Sequence, residues 1–140
     1  MILRAKETDV PELIRIWEES VRDTHDFLLP EDFVEIRSKM PDYFNAVDLY
    51  KYEDDGRTKG FLGVSGEKVE MLFVSERGKG IGTELLSYAV RSLGCTAVDV
   101  NTQNRPALQF YRKCGFAISE ELAIDNEGRP YPITCLTLEK

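Results

Sequence analysis

Val69-Glu70-Met71-Leu72-Phe73-Val74-Ser75-Glu76-Arg77-Gly78-Lys79-Gly80-Ile81-Gly82-Thr83 is the stretch around which the chain is organised. Its first six residues are apolar enough for a central strand. From Thr83 to Leu93 the apolar residues recur with helical spacing. Glycines between a strand and a helix let the backbone curl tightly. They also leave N–H groups unpaired at the positive end of the helix dipole, which suits a phosphate. The anion site is therefore expected on the N–H groups from Arg77 to Thr83, Ile81 included, with Arg77 and Lys79 as flanking cations. A P-loop would read G-x-x-x-x-G-K-S/T, which is absent. A dinucleotide-binding turn would read G-x-G-x-x-G, whereas Gly78, Gly80 and Gly82 are spaced G-x-G-x-G.

Composition bounds the rest. The 140 residues, 42% hydrophobic and 31% charged, predict one globular domain over 1–140 with a core large enough to need no staples. No apolar run is long enough for a membrane span, and Met1-Ile2-Leu3-Arg4 does not open a signal peptide. Cys95, Cys114 and Cys135 are odd in number and far apart. They fit neither a disulfide framework nor a zinc site, so no metal and a cytoplasmic location are expected. A net charge of −7 argues against nucleic acid as a partner. That charge is uneven: residues 76–113 hold six Lys/Arg against three Asp/Glu, while residues 18–55 hold twelve acids against four bases. The acidic segment reads either as a solvated face or as a surface for a cationic substrate.

In chain order, Ile2 to Ala5 is expected as a strand. A helix follows from Thr8 or Asp9, with Glu12 as capping-box partner and Leu13, Ile14, Trp17 and Val21 on one apolar face, to about Thr24. Glu31 to Met40 predicts a second helix stopped by Pro41. A meander comes next, through Val47–Tyr50, Phe61–Val64 and Val69–Val74. Then come the glycine turn with its helix, a buried strand at Ala97–Val100, and a helix at Pro106–Lys113 stopped by Gly115. Ala117–Ile124 and Ile133–Leu138 close the chain. The order βαα-βββ-α-β-α-ββ implies an α/β mixed sheet with helices on both faces.

A second motif lies one strand beyond the glycine turn. Asn104-Arg105-Pro106-Ala107-Leu108-Gln109-Phe110-Tyr111-Arg112-Lys113-Cys114-Gly115-Phe116 resembles the N-x-x-A-x-x-F-Y-x-K-x-G-F stretch of the GNAT superfamily of acyl-CoA-dependent N-acetyltransferases. Arg77, Gly80 and Gly82 match that family's Q/R-x-x-G-x-G/A pyrophosphate turn. The two motifs cover the C-terminal half. Thr24–Leu28 and Gly128–Pro132 look like a small bacterial branch of the same family.

The resemblance implies a GNAT-like fold and acetyl-CoA, or coenzyme A, as co-substrate. It implies that Leu72-Phe73-Val74 splays from Ala97–Val100 and binds pantetheine as an added strand would be bound, with a main-chain N–H near Phe73 for the oxyanion. Asn104, Ala107, Phe110 and Lys113 would line the cofactor, and Tyr111 would face the thioester sulfur as general acid. Taken by their own spacing, Tyr111 reads equally as a core aromatic and Asn104 as a helix cap. Alternation places Glu70 with Leu72 and Val74, in a structural role. His25 is the candidate base, and His25, Phe27 and Tyr43 are the candidate acceptor contacts. The function expected is transfer of acetyl to a small-molecule or peptide amine. Alternatives are another short acyl group or a non-catalytic acyl-CoA-binding regulator. A homodimer is compatible with such a fold.

Overall fold

The computed structural model describes residues 1–24, 28–76, 78–125 and 127–139. The elements follow the expected order: β1 (Ile2–Arg4), α1 (Val10–Thr24), α2 (Pro30–Asn45), β2 (Asp48–Asp54), β3 (Arg57–Ser65), β4 (Lys68–Val74), α3 (Ile81–Arg91), β5 (Ala97–Asn101), α4 (Arg105–Lys113), β6 (Phe116–Leu122) and β7 (Ile133–Leu138). They build a seven-stranded sheet ordered β1-β2-β3-β4-β5-β7-β6. The β4-α3-β5 crossover makes a parallel pair of neighbours, while the β5-α4-β6 crossover skips a place that β7 fills.

Alternation along β3 separates the two cores. Phe61 points to Leu13, Ile16, Trp17, Met40 and Phe44 of α1 and α2, while Leu62 points to Leu85, Leu86 and Ala89 of α3 and to Tyr111 of α4. Helices thus cover both faces. None among the described residues is long and apolar enough to cross a membrane.

Three local expectations are corrected. Pro41 does not end α2, which runs through it to Asn45. Met40 and Phe44, one turn apart, are both buried against the α1 side of the sheet, and that packing outweighs the lost N–H of an exposed proline. Glu12 does not cap α1; it pairs with Arg15 (3.1 Å from Nε). The Lys6 N–H is taken by Asp9 instead (2.8 Å), across a 3₁₀ turn at Glu7–Asp9.

The third correction bears on the site. In the β3/β4 ladder Gly63 faces Met71 but Val64 faces Val69, so Glu70 is an extra, bulged residue. The bulge resets the phase: Val69 joins the core cluster that Leu72 and Val74 pack against, and Glu70 leaves the alternation and is exposed.

Candidate active site

β4 and β5 pair only at Lys68↔Ala97 and Val69↔Val98. Beyond Val69 they separate, so β4 keeps its β3 neighbour and loses the other. The orientation of the freed groups follows from register. Ser75 N–H donates to Lys59 O (2.8 Å), and Phe61 faces Phe73. Antiparallel alternation then commits the Phe73 N–H and C=O to β3, and turns those of Leu72 and Val74 into the opening. The main-chain donor expected near Phe73 is therefore Leu72 or Val74. Ser20 on α1, which sequence reasoning did not single out, donates its hydroxyl to Val74 O (3.0 Å) and lines the opening.

At the wide end of the opening lies a cavity of about 360 Å³. Leu72, Phe73, Val74, Gly78, Gly80, Ile81, Gly82 and Thr83 line one side, and Asn104, Ala107, Phe110 and Tyr111 the other. Gly78 and Gly80 both have φ of +77°, a conformation glycine adopts without strain, and a Cβ on either would project into open space. Gly80 is the N-cap of α3, whose first i→i−4 bond runs from Glu84 N–H to Gly80 O (3.0 Å). The N–H groups of Ile81, Gly82 and Thr83 consequently have no acceptor in a preceding turn. These three groups lie within the run, Arg77 to Thr83, that the sequence reading assigns to an anion.

α4 supplies the opposite wall. Asn104 caps it, its Oδ1 accepting from Ala107 N–H (3.4 Å), which leaves the amide NH₂ to the cavity. Tyr111 is buried at 6% exposure, edge-on to Phe110 and Phe116, with no hydrogen bond to its hydroxyl among the described residues. Burial pushes its pKa above the ordinary tyrosine value, with the nearby Cys114 adding to the effect. Tyr111 lines this cavity and also a narrower gap between β4 and β5, with Glu70, Met71, Asp99 and Asn101.

Glu70, Met71 and Asp99 in turn line a groove of about 470 Å³ on the α2 side, with Tyr43, Asp125, Glu127 and Arg129. Tyr43 donates to Glu127 (3.3 Å), and Asp99 is ion-paired with Lys68. The gap thus adjoins both spaces, and Tyr111 and Glu70 stand where they meet.

Most of the residues singled out from sequence converge here. Lys113 does not: it sits exposed on the last turn of α4, away from the lining. Lys79 is exposed on the turn and also outside the lining. Arg77, His25 and Phe27 lie outside the described residues.

A family model described as "Acetyltransferase (GNAT) domain" matches residues 45–118. The peptidyl-lysine N-acetyltransferase YjaB of Salmonella typhimurium is 33% identical over 135 residues, covering 94% of this chain and 93% of that protein. This chain belongs to the GNAT acetyltransferase family. The solution structure of apo YjaB from Escherichia coli superimposes with a TM-score of 0.90 at 31% identity, covering 98% and 95% of the two chains. The GNAT fold extends to a Thermoplasma acidophilum PaiA N-acetyltransferase solved with coenzyme A, at TM-score 0.72 and 23% identity, with 98% of each chain covered. The chain is thus an acyltransferase, and Gly80, Gly82, Asn104, Ala107, Phe110 and Tyr111 of the two GNAT-like motifs line the cavity.

Proposed function

We propose that this GNAT enzyme transfers the acetyl group of acetyl-CoA to the ε-amino group of lysine side chains in peptides or proteins. The observation that carries the proposal is the passage through the sheet. A glycine cradle for phosphates lies on one side, an acidic groove on the other, and Tyr111 and Glu70 line the gap between them. The relatives named as peptidyl-lysine N-acetyltransferases support the acceptor class.

The bound thioester supplies the acyl carbon that an amine attacks; everything else falls to the chain. Unpaired N–H groups at the start of α3 hold the pyrophosphate by charge-assisted hydrogen bonds. The exposed edge of β4 takes the pantetheine arm as it would another strand. Leu72 and Val74 N–H groups face the place where the carbonyl oxygen gains charge, fixed there by the β3 ladder at no cost of reorganisation. Tyr111 holds a proton for the departing sulfur. A lysine acceptor arrives as an ammonium, since its pKa is about 10.4, and must lose a proton before attacking. The Glu70 carboxylate, at the mouth of the acidic groove, receives it directly or through water. The N–C bond forms and the C–S bond breaks; Tyr111 protonates the thiolate, the second proton that nitrogen sheds as the amide forms restores Tyr111 through water, and the proton taken by Glu70 is released to solvent.

The test is incubation with acetyl-CoA and three acceptors: a lysine peptide with a blocked N-terminus, the same peptide with arginine for lysine and a free N-terminus, and a polyamine. Mass spectrometry reads the products. Acetylation of the first is expected; acetylation of only the second or third would assign a different amine.

A further inference from the structure

The acidic groove contains a cation that needs explaining. Arg129, in the loop between β6 and β7, lines it, and an arginine in the wall of a site for lysine repels the incoming ammonium. Its guanidinium is nevertheless held there, with the side chain only 10% exposed. Three carboxylates surround it: Glu35 at 2.6 Å from Nη2, Asp125 at 3.4 Å from Nη1, and Asp32 at 3.9 Å from Nε.

These three are not equivalent. Asp125 also shapes the loop, its Oδ1 accepting from the N–H groups of Glu127 (3.0 Å) and Arg129 (2.8 Å). Asp32 also accepts from the Tyr131 hydroxyl, whose oxygen takes the Leu29 N–H (3.1 Å). Asp125 thus holds the loop's own turn, and Asp32 joins the loop to α2 through Tyr131 as well as through Arg129. Glu35, also on α2, is half exposed and joins the loop through Arg129 alone; among the described residues its carboxylate takes no backbone N–H and otherwise reaches another cation, Lys39 (3.3 Å). Arg129 and Lys39 hold its carboxyl below the ordinary glutamate value, so it is charged at neutral pH.

We infer that Glu35 is a specificity-determining residue that acts through Arg129: it masks the cation in the groove wall and so admits a positively charged acceptor. The inference rests on the lysine-acceptor reading above. A merely structural glutamate would affect all acceptors alike. A masking glutamate affects only charged ones, more strongly as its own charge is removed and then reversed.

The experiment measures KM and kcat for wild type, Glu35→Gln and Glu35→Lys at low and high salt. Two probes are used: a lysine peptide, and the same peptide with an aminooxy group replacing the ε-amine, which is a nucleophile uncharged at neutral pH. For the lysine peptide KM is expected to rise roughly two- to five-fold in Glu35→Gln and further in Glu35→Lys, with little change in kcat. About 1 M salt shortens the screening length to about 3 Å and should shrink the difference. KM for the aminooxy peptide should hold across the three proteins, as should the Kd for coenzyme A. Equal KM changes for both probes would make Glu35 structural and overturn the inference, and so would a flat KM for the lysine peptide. No turnover of either peptide by wild type would instead overturn the acceptor reading, and the inference with it.

Discussion

At Tyr111 the fold sets one property against another. Tyr111 is buried where it lines both the cavity and the gap, and that burial raises its pKa, so the hydroxyl stays protonated but is a weaker acid than a free phenol. Tyr111→Phe keeps the ring between Phe110 and Phe116, so coenzyme A affinity should hold while kcat falls about 10²–10⁴-fold. With an activated thioester whose thiolate needs no proton, the loss should largely vanish; an equal loss with both donors would remove Tyr111 as the acid. The raised pKa also has a sign in stability. A tyrosine neutral when folded stabilises fully below its unfolded pKa of about 10, and this contribution is lost as pH rises through the folded value. Urea midpoints should therefore fall less steeply above about pH 10 for Tyr111→Phe than for wild type. Glu70→Gln should lower kcat/KM for a lysine acceptor at neutral pH, and the deficit should narrow as pH approaches the amine's own pKa. A deficit constant across pH would assign Glu70 to structure. The place of Tyr111 in the cavity wall was legible from its motif. Glu70 was not, because the bulge that exposes it exists only in the pairing of β4 with β3.

Elements were legible where local signals agreed. The Asn104 cap, the arginine and proline that follow it, and Gly115 (φ +98°) just beyond the C-cap frame α4 closely. α2 was not, since a proline reads locally as a stop, whereas Met40 and Phe44 are fixed by partners far away in sequence. Pro41→Ala supplies the N–H that an i→i−4 bond to Arg37 O requires and replaces a poor helix former with a good one. It should stabilise the protein by about 1–3 kcal/mol, read as a rise in urea midpoint at constant m-value. The seat of α3 on the sheet depends on Gly60. A Cβ there would lie 3.0 Å from Phe73 O and 3.2 Å from both Ile81 Cγ2 and Leu85 Cδ1. The backbone oxygen cannot yield, so the Ile81 and Leu85 side chains of α3 must give way. Gly60→Ala should cost about 1–3 kcal/mol and displace the cradle N–H groups, weakening coenzyme A in calorimetry. Stability and affinity both unchanged would show that α3 shifts freely.

Across the whole molecule, the uneven charge seen in the sequence resolves into geography. The basic segment carries the glycine turn and α4, while the acidic segment supplies α2, one wall of the groove. Sequence alone left that acidity open between solvated face and substrate surface. What decides its location is the β6–β7 loop, folded back on α2 by Arg129 and Tyr131. No local pattern encodes that return, because its partners lie about a hundred residues apart. At this scale, cationic amines should be acetylated with lower KM than acidic ones of equal size, and the preference should weaken as salt rises. A panel preferring acidic acceptors would contradict the electrostatic reading.

The parting of β4 from β5 also bears on how firmly the protein stays folded. A sheet opened in its middle forgoes ladder bonds that a closed one would have, and presents two inner edges to any stray strand. A molecule that binds along β4 is then, thermodynamically, a missing strand supplied from solution, and by mass action the fold's stability becomes a property of its concentration. At a hundred times its Kd, coenzyme A should add about 2.7 kcal/mol, which for a chain of this length is a rise in Tm of roughly 8 °C. Dilution or depletion should leave the protein at its least stable and most prone to associate edge to edge. A Tm indifferent to coenzyme A, in protein shown to bind it, would mean that both states bind it equally.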